Sequence, residues 1–365
     1  MTRLRDLGIS IGVLQPGPRN AISDVTGVTV GHSTVIRDDD VTARTGVTVI
    51  RPRQGYVRTR PLFAGSSTLN GNGEMTGLEW VRESGILSTD IALTGTHSVG
   101  VVRDALVSMD AGHPDFQVAF SVPVVGETSD LPFNSGTAQF VTAQDVLRAH
   151  TTASADVVEG SVGGGTGSRC HGFKGGIGTS SRVVGEHSGG WTVGVLVQAN
   201  HGTKADFRVD GRPVGMHPLL NQDPIAAEAP NAPSYPPGSG SIIVIVATDA
   251  PLRPDQCRRL ANRTSIGIGR VGGGIQDGSG DIMLAFSTAT EGLPPEGYAG
   301  DYPQLTTHRS VPHQSLDPLF RAVVEATEEA IINAILASPT MVGVDGFTSY
   351  GLDPAVLKAA FEDVR

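Results

Sequence analysis

Five β-branched residues in a row, Ile242 to Val246, have the make-up of a strand buried on both faces. The segment before them is turn material: Pro233, Pro236, Pro237, Gly238 and Gly240 lead up to a lone Ser241. Strand-like patterns recur in DVTGVTVGH (24–32), GVTVIRP (46–52), DIALTGT (90–96), FQVAFSVPVV (116–125), WTVGVLVQAN (191–200) and DIMLAFSTAT (281–290). Helical periodicity is clearest from Asp317, where Pro318 takes the first turn and Leu319, Val323, Ala326, Ala330 and Ala334 mark one face. Asp317 is the expected cap of that helix. Thr142 with Asp145 forms a capping-box pattern, and 253–269 and 353–364 read as two more helices. The strands come in groups instead of alternating with helices. That predicts α+β layers and argues against a doubly wound parallel sheet.

Composition narrows the field. At 365 residues the chain supports a large core, and two domains is the default expectation. Forty-eight glycines without a collagen period point to many tight turns and close backbone approaches. A net charge of −10 argues against nucleic acid as a partner. Cys170 and Cys257 make neither a disulfide framework nor a CxxC pair, which fits a reducing compartment. No apolar run of signal-peptide or membrane-span type is evident, so the expectation is a soluble cytoplasmic protein without a membrane partner. The segment from Ala226 to Gly240, rich in Pro, Ala and Gly, reads as a linker or exposed loop.

Several familiar motifs fail. Gly267-Ile-Gly269-Arg-Val-Gly272 matches GxGxxG, but GGGIQDGSGD follows it where a helix is needed. The glycine-rich GGGTGSRC and FKGGIGTSS lack the Gly-Lys-Ser/Thr ending of a phosphate loop, and neither HExxH nor GxSxG is present. The ten histidines show no metal-ligand spacing, so no metal or other cofactor is expected.

Ser241 raises a different chemistry. A serine hydroxyl is a poor nucleophile until a base takes its proton. If the Gly240–Ser241 bond is cut, the new α-amine of Ser241 is such a base, with an ordinary pKa of about 7.7–8.0. Taken alone, a serine that opens a strand is commonly just the end of a loop. A second cluster, Asp277-Gly278-Ser279-Gly280-Asp281, repeats the form of glycine turn, serine and buried strand. If the two strands are neighbours, Ser279 and Asp281 share one strand face, because residues i and i+2 do, and come within reach of Ser241. A polar turn accounts for the same pattern.

Five blocks together resemble the L-aminopeptidase/D-esterase family, the DmpA-like group that includes the β-aminopeptidases. They are NAISDVTGVTVGH (20–32), TLNGNGEMTGLEW (68–80), EGSVGGGTGSRCHGFKGGIGTSSRVV (159–184), GSIIVIVATDAP (240–251) and DGSGDIMLAFSTA (277–289), in family order from about Asn20 to about Gly346. The resemblance implies a single catalytic domain, a four-layer α/β/β/α sandwich layered like the N-terminal-nucleophile hydrolases. It implies one self-cleavage into 1–240 and 241–365, between Gly240 and Ser241. It also implies homotetramers of processed units, no metal, and removal of N-terminal residues from short peptides, amides or esters.

Carried over by position, Ser241 is the nucleophile, and Ser279 and Asp281 assist proton transfer and hold the attacking amine. Asn200 donates to the oxyanion, and Glu127 pairs with the substrate amine. One departure stands out: after VVGET the family commonly carries an aromatic residue, and this chain has Ser129 followed by Asp130. Ser129 keeps a donor but lacks the ring, which puts substrate range in question more than mechanism. Ser239, two residues before Ser241, does not abut the strand as the family pattern requires. Asn72 and Glu74 either line the pocket or cap a helix beginning near Thr76, the cap being the favoured reading. Two alternatives stay open. One is a self-processing acyltransferase passing its acyl group to an amine, although that group uses threonine as nucleophile. The other is a non-catalytic member of the fold.

Overall fold

The computed structural model describes residues 2–116, 120–136, 139–222, 240–290, 292–296, 303 and 305–364. In chain order, β1 (Thr29–Asp38), β2 (Thr42–Arg51) and β3 (Leu62–Gly71) precede α1 (Leu78–Ser84). Then come β4 (Ile86–Leu87), β5 (Ile91–Gly95), α2 (Val99–Ala111), β6 (Val124–Thr128) and α3 (Ala143–Thr151). A short ribbon, β7 (Arg169–Cys170) with β8 (Phe173–Lys174), leads into β9 (Gly176–Val183) and β10 (Thr192–Asn200). The last part holds β11 (Gly240–Thr248), α4 (Pro254–Arg270), β12 (Ser279–Ser287) and α5 (Asp317–Leu336). A second ribbon, β13 (Met341–Val342) with β14 (Thr348–Ser349), and α6 (Pro354–Asp363) close the chain.

Two sheets stack. One has the order β1-β2-β5-β6, the other β4-β3-β12-β11-β10-β9. The pairs β11–β12 and β5–β6 are parallel, and the other ladders in the two sheets are antiparallel.

Strand alternation sorts the apolar residues of β11 between two cores. Ile243, Ile245 and Ala247 join Leu93, Val124 and Ile50 of the other sheet in a core between the sheets. Ile242, Val244 and Val246 face the opposite way, onto Leu260 and Ile268 of α4 and Val323, Ala330 and Ala334 of α5. Outside the four-stranded sheet, Val47, Val49 and Val125 pack with Val102 and Leu106 of α2 and Val146 of α3. Three cores between four layers make an α/β/β/α sandwich, which is the α+β class expected from the grouping of strands.

The outer face of the six-stranded sheet also carries charge. Arg182 of β9 is fully buried, with its guanidinium 2.7 Å from Glu329 and 3.3 Å from Glu325, both on α5. Arg5 adds a third contact to this group, 3.0 Å from Glu329. These pairs join segments on either side of Ser241. Removing one partner of such a pair leaves an uncompensated buried charge.

Some local expectations change. Leu316, not Asp317, occupies the N-cap of α5, and Asp317 lies inside the first turn, where its charge still suits the helix dipole. The Thr142–Asp145 box is formed, with the Thr142 N–H and hydroxyl both donating to Asp145 Oδ2 at 3.0 and 2.7 Å. Of FQVAFSVPVV only the end is strand, because β6 starts at Val124, and 117–119 lie outside the described residues. Gly267 and Gly269 of the GxGxxG match lie within α4, so they are helix residues and form no phosphate loop. The linker expected at 226–240 lies outside the described residues except for Gly240.

Candidate active site

Both parallel strands β11 and β12 begin at one edge of the six-stranded sheet, where β3 and β10 end. Ser241 sits there, buried, and its Oγ accepts a hydrogen bond from the Gly280 N–H at 3.2 Å. Asn200 is directly opposite Ser241 in the β10–β11 register, so their side chains share a face. The Arg169 N–H donates to Asn200 Oδ1 at 2.7 Å. That bond fixes which end of the amide is the oxygen. The Asn200 NH2, which donates no hydrogen bond among the described residues, is left for a ligand.

Close packing at this edge depends on glycine. A Cβ on Gly240 would lie 2.0 Å from the Asn200 carbonyl oxygen, so no other residue fits before Ser241 without moving the strand. A Cβ on Gly280 would lie 2.5 Å from the Asn72 carbonyl oxygen and 2.8 Å from Gly73 Cα. The NGNGE loop therefore crosses directly over the backbone that meets Ser241.

Ser279 and Asp281 are brought to the same edge, but not to the hydroxyl of Ser241. The ladder pairs Gly240 with Ser279 and Ile242 with Asp281, which puts both side chains on the sheet face opposite to that of Ser241. Sharing a face with each other did not make them share one with Ser241. Instead, Ser279 Oγ donates to Asp281 Oδ1 at 2.5 Å. Burial pushes the Asp281 carboxyl above its usual range, and the Ser279 hydroxyl and the nearby Ile242 N–H pull it part of the way back. Among the described residues, the buried Asp281 Oδ2 has no hydrogen-bond partner.

Glu127, at the end of β6 in the facing sheet, accepts from the Glu74 N–H at 2.9 Å and from the Thr96 hydroxyl. Its Oε1 comes within 3.0 Å of a Cβ position on Gly73, next to Gly280, so it belongs to the same edge. Burial raises its carboxyl above the usual range, against the bonds from Thr96 and Glu74. Ser129 lies one residue beyond β6, half-buried, and makes no side-chain hydrogen bond among the described residues. The next residue, Asp130, is pushed up to about 6 by burial, and its Oδ2 has no hydrogen-bond partner among the described residues. Ser239 lies outside the described residues.

The sequence did not reveal what holds this edge together. Asn70 Nδ2 donates to the carbonyls of Asp277, at 2.7 Å, and Ser279, and Asn72 Nδ2 donates to Gly278 O at 3.0 Å. Asn72 is thus a clamp on the Asp277–Asp281 turn. The helix cap expected of it is not formed, because Gly77 occupies the N-cap of α1 without any side-chain cap bond. Asparagines within a glycine-rich block were the available signal; Thr96 gave none.

The model of peptidase family S58 matches residues 20–349. The chain belongs to this family. It is 43% identical to the β-peptidyl aminopeptidase BapA of Sphingosinicella microcystinivorans, over 100% of this chain and 92% of that one. It is 41% identical to the BapA of Sphingosinicella xenopeptidilytica, over 98% and 92%. Among solved structures it is similar to a Burkholderia sp. β-aminopeptidase, with TM-score 0.91 and 49% identity over 100% of this chain and 99% of that one. It is also similar to the L-aminopeptidase D-Ala-esterase/amidase of Ochrobactrum anthropi, with TM-score 0.87 and 38% identity over 99% and 98%. That structure is described as a prototype serine aminopeptidase and a variant of the Ntn hydrolase fold. This chain is an aminopeptidase on that fold.

Among the described residues, potential metal ligands converge at one place, Cys170, His171 and His201, all buried. None of the three is a residue of the edge described above. No helix of the described residues is long and apolar enough to cross a membrane.

Proposed function

We propose that this S58 peptidase is a single catalytic domain that cuts itself between Gly240 and Ser241, and that Ser241 then serves as the nucleophile of turnover. The observation that carries the reading is the position of Ser241. It opens a buried strand with Asn200 beside it on one face and an unsatisfied carboxylate, Asp281, flanking its peptide on the other.

In the first reaction Ser241 Oγ attacks the Gly240 carbonyl carbon. The C–N bond breaks, the former amide nitrogen takes a proton and becomes an α-amine, and an ester joins Gly240 to Oγ. Water hydrolyses that ester and leaves Gly240 with a free carboxylate. The α-amine is the donor that Asp281 Oδ2 lacks in the uncut chain. Asp281, oriented by Ser279, then holds the amine so that its lone pair faces Oγ as a general base.

In turnover the amine takes the Oγ proton while Oγ attacks the carbonyl of the substrate's first residue. Asn200 Nδ2 donates to the developing oxyanion, a contribution typically worth about 10²–10³ in rate. With Ser129 in the position where the family usually has an aromatic, Asn200 is the side-chain donor for that oxygen. The amine or alcohol part leaves with the proton, and water releases the acyl group from Oγ. Glu127 pairs with the substrate ammonium and selects a free N-terminus. The names of the relatives favour substrates that begin with a β-residue, in short peptides, amides or esters. The processed units are proposed to form a homotetramer in the cytoplasm, where two buried free cysteines are at home; light scattering on the purified protein tests the assembly.

A slowly deacylated β-aminoacyl ester provides the direct test. Mass spectrometry is expected to find the acyl group on the chain that begins with Ser241. An adduct on any other residue, or no turnover of L-, D- or β-aminoacyl amides, overturns the reading.

A further inference from the structure

The strand end that presents Asn200 carries another set of reactive side chains that the peptidase chemistry does not use. Cys170 closes β7, His171 follows it in the turn to β8, and His201 follows β10. The His171 N–H donates to the His201 carbonyl at 2.8 Å, which ties the ribbon to the strand end. One ligand atom from each of the three residues lies within 4.8 Å of the other two. Cys170 Sγ is 3.8 Å from His201 Nδ1.

Three observations mark this as a ligand set and not only a packed core. His171 Nδ1 lies 3.0 Å from the Thr203 carbonyl oxygen, which accepts and cannot donate. Nδ1 therefore carries the proton, and the lone pair is on Nε2, the second-sphere arrangement that orients a metal-binding imidazole. Among the described residues that buried Nε2 has no hydrogen-bond partner, an exception that buried polar atoms seldom show. His201 turns Nδ1 to the sulfur, and among the described residues its Nε2 is likewise without a partner.

We propose that Cys170, His171 and His201 bind one zinc-class divalent ion. A thiolate and two imidazoles are the donor set of that class. Ordinary Zn–S and Zn–N lengths of about 2.3 and 2.0–2.1 Å place tetrahedral ligand atoms roughly 3.3–3.7 Å apart, so the set closes by movements on the order of 1 Å. Cys170 enters as the thiolate and its proton is released to solvent. The fourth position goes to water. The ion acts on positioning: it pins the ribbon whose Arg169 N–H orients Asn200, and no step of catalysis runs through it.

The test is metal content. Full-length protein purified from zinc-supplemented cells and dialysed is measured by plasma emission, then refolded with Co²⁺ and scanned for a thiolate-to-cobalt charge-transfer band. Wild type is expected to hold one zinc per chain and to show the band. Cys170→Ser and His171→Phe, which keeps the ring stacked on Phe207, are expected to lose at least tenfold in affinity. Wild type with under a tenth of an equivalent of zinc, a cobalt form without the band, or variants that bind as tightly each overturn the proposal. The first two readouts need no variant to fold.

Discussion

Two serines stand at the start of two neighbouring parallel strands, each directly after a glycine. Their surroundings differ. Ser279 Oγ donates a hydrogen bond to Asp281, and its turn is clamped by Asn70 and Asn72. Among the described residues Ser241 Oγ only accepts, from the Gly280 N–H, and donates to no base. Judged by hydrogen bonds in the uncut chain, Ser279 looks the more activated of the two. The comparison teaches that the nucleophile is recognised by what a cut would create. The proposed cut would create an amine at Ser241 next to its own hydroxyl, an oriented amide and a carboxylate oxygen that has no partner among the described residues.

Substitutions break this comparison in a definite order. Ser241→Ala is expected to abolish both processing and aminoacyl-amide hydrolysis, a loss of about 10⁴-fold or more, because it removes the group that becomes covalently bound. Ser279→Ala removes a hydrogen bond to a charged group and is expected to cost about 10–10²-fold in the rate of processing and in kcat. If the two losses were equal, the distinction between the serines would fail. Asp281→Asn belongs between them, at about 10²–10⁴-fold, since it takes away the acceptor for the α-amine. Stopped-flow assays of pre-processed enzyme would separate its effect on turnover from its effect on the cut.

Asn200→Ala is expected to lower kcat by about 10²–10³-fold with little change in KM, since its donor acts on the transition state. Glu127→Gln is expected to act on binding, raising KM by about 10–10²-fold. Its pH profile sharpens the point. Burial raises the Glu127 carboxyl, so the charged form that binds an ammonium is lost as pH falls through a value above the usual carboxylate range. The kcat/KM of wild type should therefore fall on the acid side first as the α-amine takes up a proton and then more steeply as Glu127 does, and the Gln variant should keep only the first fall.

The strands β10, β11 and β12 and the helices α3 to α6 were legible because their apolar residues carry a clear period. The strands β3 and β9 were not assigned as strands, because runs of Gly, Ser and Thr interrupt their apolar pattern. In β9 the buried hydroxyls of Thr179, Ser180 and Ser181 are satisfied by Val195 O, Asn20 and Asp24, contacts that hydropathy does not register. Helix α2 was also missed; Ser98 stands at its N-cap but makes no side-chain cap bond. The edge itself was legible in part. Ser241, Asn200, Ser279, Asp281 and Glu127, all singled out in the sequence, lie along it, with Ser279 and Asp281 on the face away from the Ser241 side chain. The division of the site between two sheet faces depends on the register of β11 against β12, which no single strand sequence contains. The same holds for the Cys170, His171 and His201 cluster, whose members are drawn together by the pairing of a ribbon with a strand end.

The central claim is that Ser241 is placed to become an N-terminus. Intact-mass analysis of freshly purified wild type beside Ser241→Ala tests it most directly. Wild type is expected to give two polypeptides, the second beginning at Ser241, and the variant one whole chain. An active wild type that stays uncut, or a second polypeptide that begins at Ser279, would contradict it.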